Sequence, residues 1–217
     1  MSTIAVIDYG GSNLRSVAKA VESVAGARAR VVVTDAAATI RAAGHVVFPG
    51  QGAIGNCMAR LGEHHLVEVV REVVRTRPFL GICLGLQSLM TASDEDGGTA
   101  CLDVFPGSVR RFPANPPPAV DGSPQKVPHM GWNEVHWTRP HPLTAGIADG
   151  TRFYFVHSYY VVPAEPALTI GECSYIGTFT AAIARGNVFA TQFHPEKSAA
   201  SGLRLLANFV AWDGTEP

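Results

Sequence analysis

The stretch PFLGICLGLQSLM, residues 78–90, decides the fold. Its first half is apolar and strand-like, with Phe79, Leu80 and Ile82 running into Cys83. Its second half, residues 84–91, reads as a helix that starts at once. A strand that ends in a cysteine and turns sharply into a helix is a connection of an α/β protein. Gly81 and Gly85 flank the cysteine, and Gly-x-Cys-x-Gly is the cysteine form of a nucleophile elbow. The glycines relieve crowding at a strained turn, so that the nucleophile stands exposed at its apex. The following helix presents unpaired N–H groups to the sulfur, and its dipole favours the thiolate. The N–H of Leu84 is then placed to donate to an oxyanion. A cysteine is as readily a small buried hydrophobe, so this one needs a base before it is a nucleophile.

A base lies 111 residues further on, in VFATQFHPE, residues 188–196. Residues 188–193 are strand-like. His194 ends the run, and the following Pro195 biases it toward extended geometry. Side chains two apart in an extended chain share a side, so His194 and Glu196 are expected to converge. A histidine takes the thiol proton, and a carboxylate holds its tautomer and stabilises the imidazolium. A third element is VVFPGQGAIG, residues 46–55, a short strand entering a glycine-rich turn. It is either an ordinary loop or, through the N–H of Gln51 or Gly52, the other wall of an oxyanion hole.

Outward from these motifs, the first half alternates strand and helix. Strands are expected at residues 3–8, 29–33, 45–48 and up to Cys83. Helices are expected at residues 14–25, capped by Asn13, and around 65–75. That order predicts a mostly parallel sheet flanked by helices, with a ligand outside the carboxyl ends of its strands. Residues 94–99 read as a loop, and the proline-rich residues 112–128 as irregular. Short strands follow at 135–137, 152–156, 168–173, 180–184 and 188–193, with a turn at Gly186 and Asn187. This is a small antiparallel region. A closing helix, 198–210, turns Leu203, Leu206 and Phe209 or Val210 to the core.

The chain has 217 residues, 47% hydrophobic, with a net charge of −1. One domain over residues 1–217 is expected. No basic run suggests nucleic acid or a membrane surface. The start lacks the features of a signal peptide, and no apolar stretch is long enough to span a bilayer. A cytoplasmic location follows as the expectation. Cys57, Cys101 and Cys173 read as packing residues, with no disulfide framework.

Together these residues resemble a class I glutamine amidotransferase. DYGGSNLRSV (8–17), KVPHMGWN (126–133), YFVHSYY (154–160) and QFHPEKS (192–198) narrow the resemblance to one branch, the glutaminase subunits of imidazole glycerol phosphate synthase. The resemblance implies a flavodoxin-like fold and a Cys83–His194–Glu196 triad that hydrolyses glutamine to glutamate and ammonia. It gives Gln51, Gly52 and Leu84 as the oxyanion hole. Gln87 helps bind glutamine, and His157, Ser158 and Tyr159 lie near substrate or partner. It implies no cofactor and no metal. The implied partner is a (β/α)8-barrel cyclase subunit, in a heterodimer, with Asn13, Trp132, Tyr154 and Lys197 as interface candidates. Gln51 departs from the pattern, which has a small aliphatic residue there. Competing readings are the glutaminase of anthranilate or aminodeoxychorismate synthase, a stand-alone thiol hydrolase, and a partner-binding module with a relic site. The elbow alone also fits an α/β-hydrolase, whose acid normally precedes its histidine.

Overall fold

A computed structural model describes residues 2–11, 13–118 and 122–216. The first half runs β1 (Ser2–Ile7), α1 (Leu14–Ala25), β2 (Ala29–Thr34), α2 (Ala37–Ala42), β3 (His45–Gly50), α3 (Ile54–Glu63), α4 (Val67–Thr76), β4 (Phe79–Cys83) and α5 (Leu84–Gln87). The second half runs β5 (Ala92–Ser93), β6 (Thr99–Ala100), β7 (Gly107–Arg111), β8 (His129–Trp137), β9 (Thr151–His157), β10 (Tyr159–Pro163), β11 (Thr169–Tyr175), β12 (Gly177–Arg185), β13 (Val188–Thr191) and α6 (Ala199–Ala211).

Five strands form a parallel core in the order β2-β1-β3-β4-β13. Counted along the chain, this is the 2-1-3-4-5 order of a flavodoxin-like sheet. Antiparallel β12 continues it, followed by β10, β7, β5 and β6, while β11 leads off β12 to β8 and β9. Both faces of the parallel core are covered, and the strands alternate between two apolar layers. Ile4 and Val6 of β1, Val47 of β3, and Leu80 and Ile82 of β4 pack with α1 and α6. Ala5, Ile7, Val46, Phe48 and Phe79 pack with α2, α3 and α4 on the other face. Strands buried on both sides read as continuous apolar runs, which is why residues 46–48 and 79–82 were legible.

Register sets the site. Gly50 lies opposite Cys83, and Thr191 opposite Ile82. The glycine-rich turn, the cysteine and the segment carrying His194 therefore leave neighbouring strands at the same edge. The β12–β13 hairpin turns at Gly186, whose φ of +57° suits glycine.

Several expectations change. The helix after Cys83 is one turn, because the chain bends into turns after Gln87. The helix-dipole argument for the thiolate shrinks accordingly. Helices α2 and α3 and strands β7 and β10 were not anticipated, and β8 begins at His129 rather than at residue 135. Residues 94–99 hold a 3-10 turn, Glu95–Gly97, between two short strands. Strand β13 stops at Thr191, before residues 192 and 193. In α6 Leu203 is 39% exposed, and the buried face is Gly202, Leu205, Leu206, Phe209 and Val210. A Cβ on Gly202 would meet the carbonyl oxygen of Pro195 at 1.9 Å, so this face docks by its backbone. Within the irregular stretch 112–128, residues 119–121 lie outside the described residues, as does Ser12 of the first motif. No helix among the described residues is long and apolar enough to cross a membrane.

Candidate active site

Cys83 has φ 54° and ψ −104°, a conformation that L-residues avoid and that marks a strained turn. The neighbouring glycines make room for it. A Cβ on Gly85 would lie 1.9 Å from the Phe48 carbonyl oxygen of β3. One on Gly81 would lie 2.9 Å from both Ala190 Cβ and the Gly85 oxygen. The elbow thus packs against strands on both sides. Cys83 is only 7% exposed and lies at a cavity of about 440 Å³, rather than standing open to solvent. The thiols of Cys57, Cys101 and Cys173 are buried, and burial pushes them up to about 12, 11 and 12. That is the state of inert packing cysteines.

His194 and Glu196 converge, but through a different geometry from the one expected. Residues Pro195–Lys197 form a 3-10 turn, closed by Lys197 N–H to the His194 carbonyl at 3.0 Å. His194 itself is extended, at φ −102° and ψ 96°, as the following proline biases it, and Pro195 then opens the turn at its first position. Glu196 Oε1 accepts from His194 Nδ1 at 2.8 Å. A carboxylate can only accept, so Nδ1 carries a hydrogen and Nε2 is the nitrogen that exchanges a proton with Cys83. His194 Nε2 is buried without a hydrogen-bond partner among the described residues. Burial disfavours the imidazolium, but the charge on Cys83 and contact with Glu196 outweigh it and raise His194 to about 10. The ring is anchored from behind. Ser198 Oγ donates to the His194 carbonyl at 2.7 Å and accepts from Tyr154 N–H at 3.0 Å.

Glu196 is itself held by the residue that opens α1, on the same face of the sheet. Asn13 Nδ2 donates to the same Oε1 at 2.7 Å. Asn13 was expected as a helix cap and an interface residue. It makes no side-chain cap, and its amide turns inward to the acid. Gln51, Gly52 and Leu84 line one cavity with Cys83. Gln51 also faces a second, tight cavity shared with Asn13, His194 and Glu196. Gln51 Nε2 and Glu196 Oε2 are both buried without a hydrogen-bond partner among the described residues.

Gln87, His157, Ser158 and Tyr159 all line the main cavity. His157 is buried and belongs to a histidine pair, with Nε2 3.0 Å from His129 Nδ1. Its own Nδ1 bonds the Tyr159 carbonyl at 2.8 Å. Burial lowers His129 to about 4 and His157 to about 3, so both are neutral. Two residues of the site, one behind Cys83 and one in the cavity wall, were not singled out from the sequence. Gln192 is fully buried and donates to Cys83 Sγ at 3.4 Å. Glu95 lines the cavity and accepts from Ile54 N–H at 2.8 Å. A polar residue inside the apolar run 188–193 was the available signal for Gln192. Nothing local distinguishes Glu95 from its acidic neighbours.

Three interface candidates form one row. The Trp132 and Tyr154 rings meet edge to face at 6.2 Å, and Lys197 Nζ sits 6.0 Å from the Tyr154 ring centre. Tyr154 and Lys197 also line the cavity. Trp132 is 50% exposed, and Met130, two residues earlier on the same strand, is 62% exposed. Trp132 and Met130 thus leave an exposed apolar patch on one strand face.

The fold and this arrangement of Cys, His and Glu define a class of amide-hydrolysing proteins. The chain belongs to the class-I glutamine amidotransferase family, whose sequence model matches residues 5–212. It is 55% identical to the imidazole glycerol phosphate synthase subunit HisH of Aromatoleum aromaticum, over 98% of this chain and 99% of that one. The HisH subunit of Methylococcus capsulatus is also 55% identical, over 98% of each chain. Within its family the chain therefore belongs with the HisH subunits. In overall shape it is similar to a glutamine amidotransferase crystal structure from Thermotoga maritima, with a TM-score of 0.64 and 16% identity. That match covers 92% of this chain and 78% of the other.

Proposed function

We propose that the chain is the glutaminase subunit of an imidazole glycerol phosphate synthase. It hydrolyses glutamine and hands the ammonia to a separate (β/α)8-barrel cyclase subunit in histidine biosynthesis, in the cytoplasm. The observation that carries this reading is the Glu196–His194 bond of 2.8 Å, which turns Nε2 toward the strained Cys83.

The Cys83 proton passes to His194 Nε2, and the thiolate attacks the side-chain amide carbon. The N–H groups of Leu84 and of the Gln51–Gly52 turn hold the oxyanion. As the tetrahedral adduct collapses, His194 returns the proton to the departing nitrogen, and ammonia leaves a thioester on Cys83. His194 then takes a proton from water, whose hydroxide attacks the thioester. Collapse of this second adduct releases glutamate and restores the thiol. Glu196 stabilises the imidazolium in both halves. Glu95, the one carboxylate among the described residues lining the cavity, suits the α-ammonium group of glutamine. Gln87, His157, Ser158 and Tyr159 shape the opposite wall.

Ammonia freed into water at neutral pH is protonated and lost to an acceptor. The row Trp132–Tyr154–Lys197 borders the cavity, so a subunit seated there would cover its exit. Aromatic residues suit such anchoring. The test is glutamate release by the chain alone and with a cyclase subunit and its nucleotide ligand. Stimulation by the pair supports the reading, whereas full activity alone favours a stand-alone hydrolase. Cys83→Ala should abolish glutamine-dependent synthesis by the complex and spare synthesis from an ammonium salt. Loss of both would count against channelling.

A further inference from the structure

One main-chain atom sets the polarity of the buried amides behind the nucleophile. The Tyr159 carbonyl oxygen can only accept. It receives His157 Nδ1–H at 2.8 Å and Gln87 Nε2–H at 3.0 Å. Gln87 must therefore present its NH2 group on this side, and the same nitrogen reaches Gln192 Oε1 at 3.0 Å. Gln192 is then fixed in turn. Its oxygen faces Gln87 and its NH2 faces the sulfur, with Nε2 3.4 Å from Cys83 Sγ. Turning Gln87 over would set oxygen against oxygen, and turning Gln192 over would set its NH2 against that of Gln87. Gln192 is fully buried and Gln87 nearly so, so neither can trade these partners for bulk water.

We infer that Gln192 is a further catalytic residue, a fixed hydrogen-bond donor to the Cys83 sulfur, and that Gln87 is its positioning residue. A thiol is a weak acceptor and satisfies a buried amide poorly. A thiolate is a charged acceptor and satisfies it well. The pairing therefore favours the state in which the proton has moved from Sγ to His194 Nε2. It also holds the sulfur in one direction as the charge develops. A residue needed only for packing here would be served by an apolar side chain of the same volume. Both N–H groups of the Gln87 amide are taken by Tyr159 and Gln192. The inference takes its mechanistic meaning from the glutaminase reading but rests on geometry independent of it. The titratable groups around the sulfur are His194, with Glu196 behind it, and Tyr9 at the end of β1. His157, Glu95 and Lys197 stand in the cavity wall.

The test is the rate of Cys83 alkylation by iodoacetamide across pH, followed by peptide mass spectrometry on the full chain. The other three cysteines are buried and serve as internal controls. Gln192→Met keeps the length and removes the donor. It should slow alkylation at neutral pH about tenfold, the worth of one charge-assisted hydrogen bond, and move the inflection of the curve to higher pH. Gln87→Met should move it the same way by less. A Gln192→Met protein that folds normally and alkylates along the parent curve overturns the inference. Should that variant fail to fold, an unchanged curve for Gln87→Met overturns it equally. Glutamate release, measured in parallel, judges the glutaminase reading separately, because alkylation involves no glutamine.

Discussion

Asn13 and Glu196, 183 residues apart in the chain, are joined by a 2.7 Å hydrogen bond. The bond ends on the oxygen that also accepts from His194 Nδ1. It ties the loop after the first strand to the acid behind the histidine.

Removing that tie should weaken the acid's hold on His194 without touching the substrate. Asn13→Ala is expected to lower kcat for glutamine hydrolysis by about tenfold, the worth of one hydrogen bond to a charged group, with KM nearly unchanged. Asn13→Asp should do worse, because a second carboxylate beside Glu196 repels it. Steady-state glutamate release by the complex measures both. If Asn13→Ala kept full activity but lost the partner, Asn13 would be a surface contact after all.

Gly85 is held by steric necessity. With the Phe48 carbonyl oxygen 1.9 Å from where a Cβ would stand, Gly85→Ala must push α5 off β3. The expected loss is about 3 kcal/mol, toward the upper end for overpacked sites, and appears as a much lower unfolding midpoint or insoluble protein. A midpoint unchanged in thermal melting would contradict the packing described for the elbow.

Gln51 carries a buried donor with no partner among the described residues, and it lines one cavity with Glu196. Replacing it with leucine removes an unsatisfied polar group. Gln51→Leu should stabilise the protein by about 1 kcal/mol, or about 2–4 °C in Tm at this size. A lower Tm would mean that the amide makes a bond worth keeping.

The histidines give stability opposite slopes on either side of neutrality. His129 and His157 are buried and neutral, lowered to about 4 and about 3, so the unfolded chain binds protons that the native chain refuses. Their contribution is complete above the unfolded pKa of about 6.5 and is lost as pH falls through the folded values, at up to about 1.4 kcal/mol per pH unit for each. His194 is raised to about 10. Its contribution is present below about 6.5 and fades as pH rises toward 10. Thermal melts from pH 4.5 to 9 should therefore peak near neutrality. His129→Phe should flatten the acid limb, and an unchanged acid slope in that variant would argue against the pair as its source.

The cysteine elbow was legible because it is a local steric problem. A strand that must turn into a helix in two residues needs glycine where neighbouring backbones touch, and Gly81 and Gly85 are those positions. The His194–Glu196 pair was legible for a similar reason, although the turn that joins them was misjudged. Pro195 keeps His194 extended, as expected, but it also opens a 3-10 turn, and spacing alone does not show that second effect. Leu203 was misplaced because helical periodicity allows neighbouring faces, and the close seat of Gly202 on Pro195 decides between them.

By itself the sequence determined the alternating α/β order, the strained cysteine and the residue types of the triad, since periodicity and turn sterics act over a few residues. Only the tertiary structure decided that Asn13 bonds the acid and that Gln192 faces the sulfur. Those contacts depend on which strands lie side by side and in what register. A buried amide takes whichever partner that register brings within 3–3.5 Å, and no local pattern encodes it.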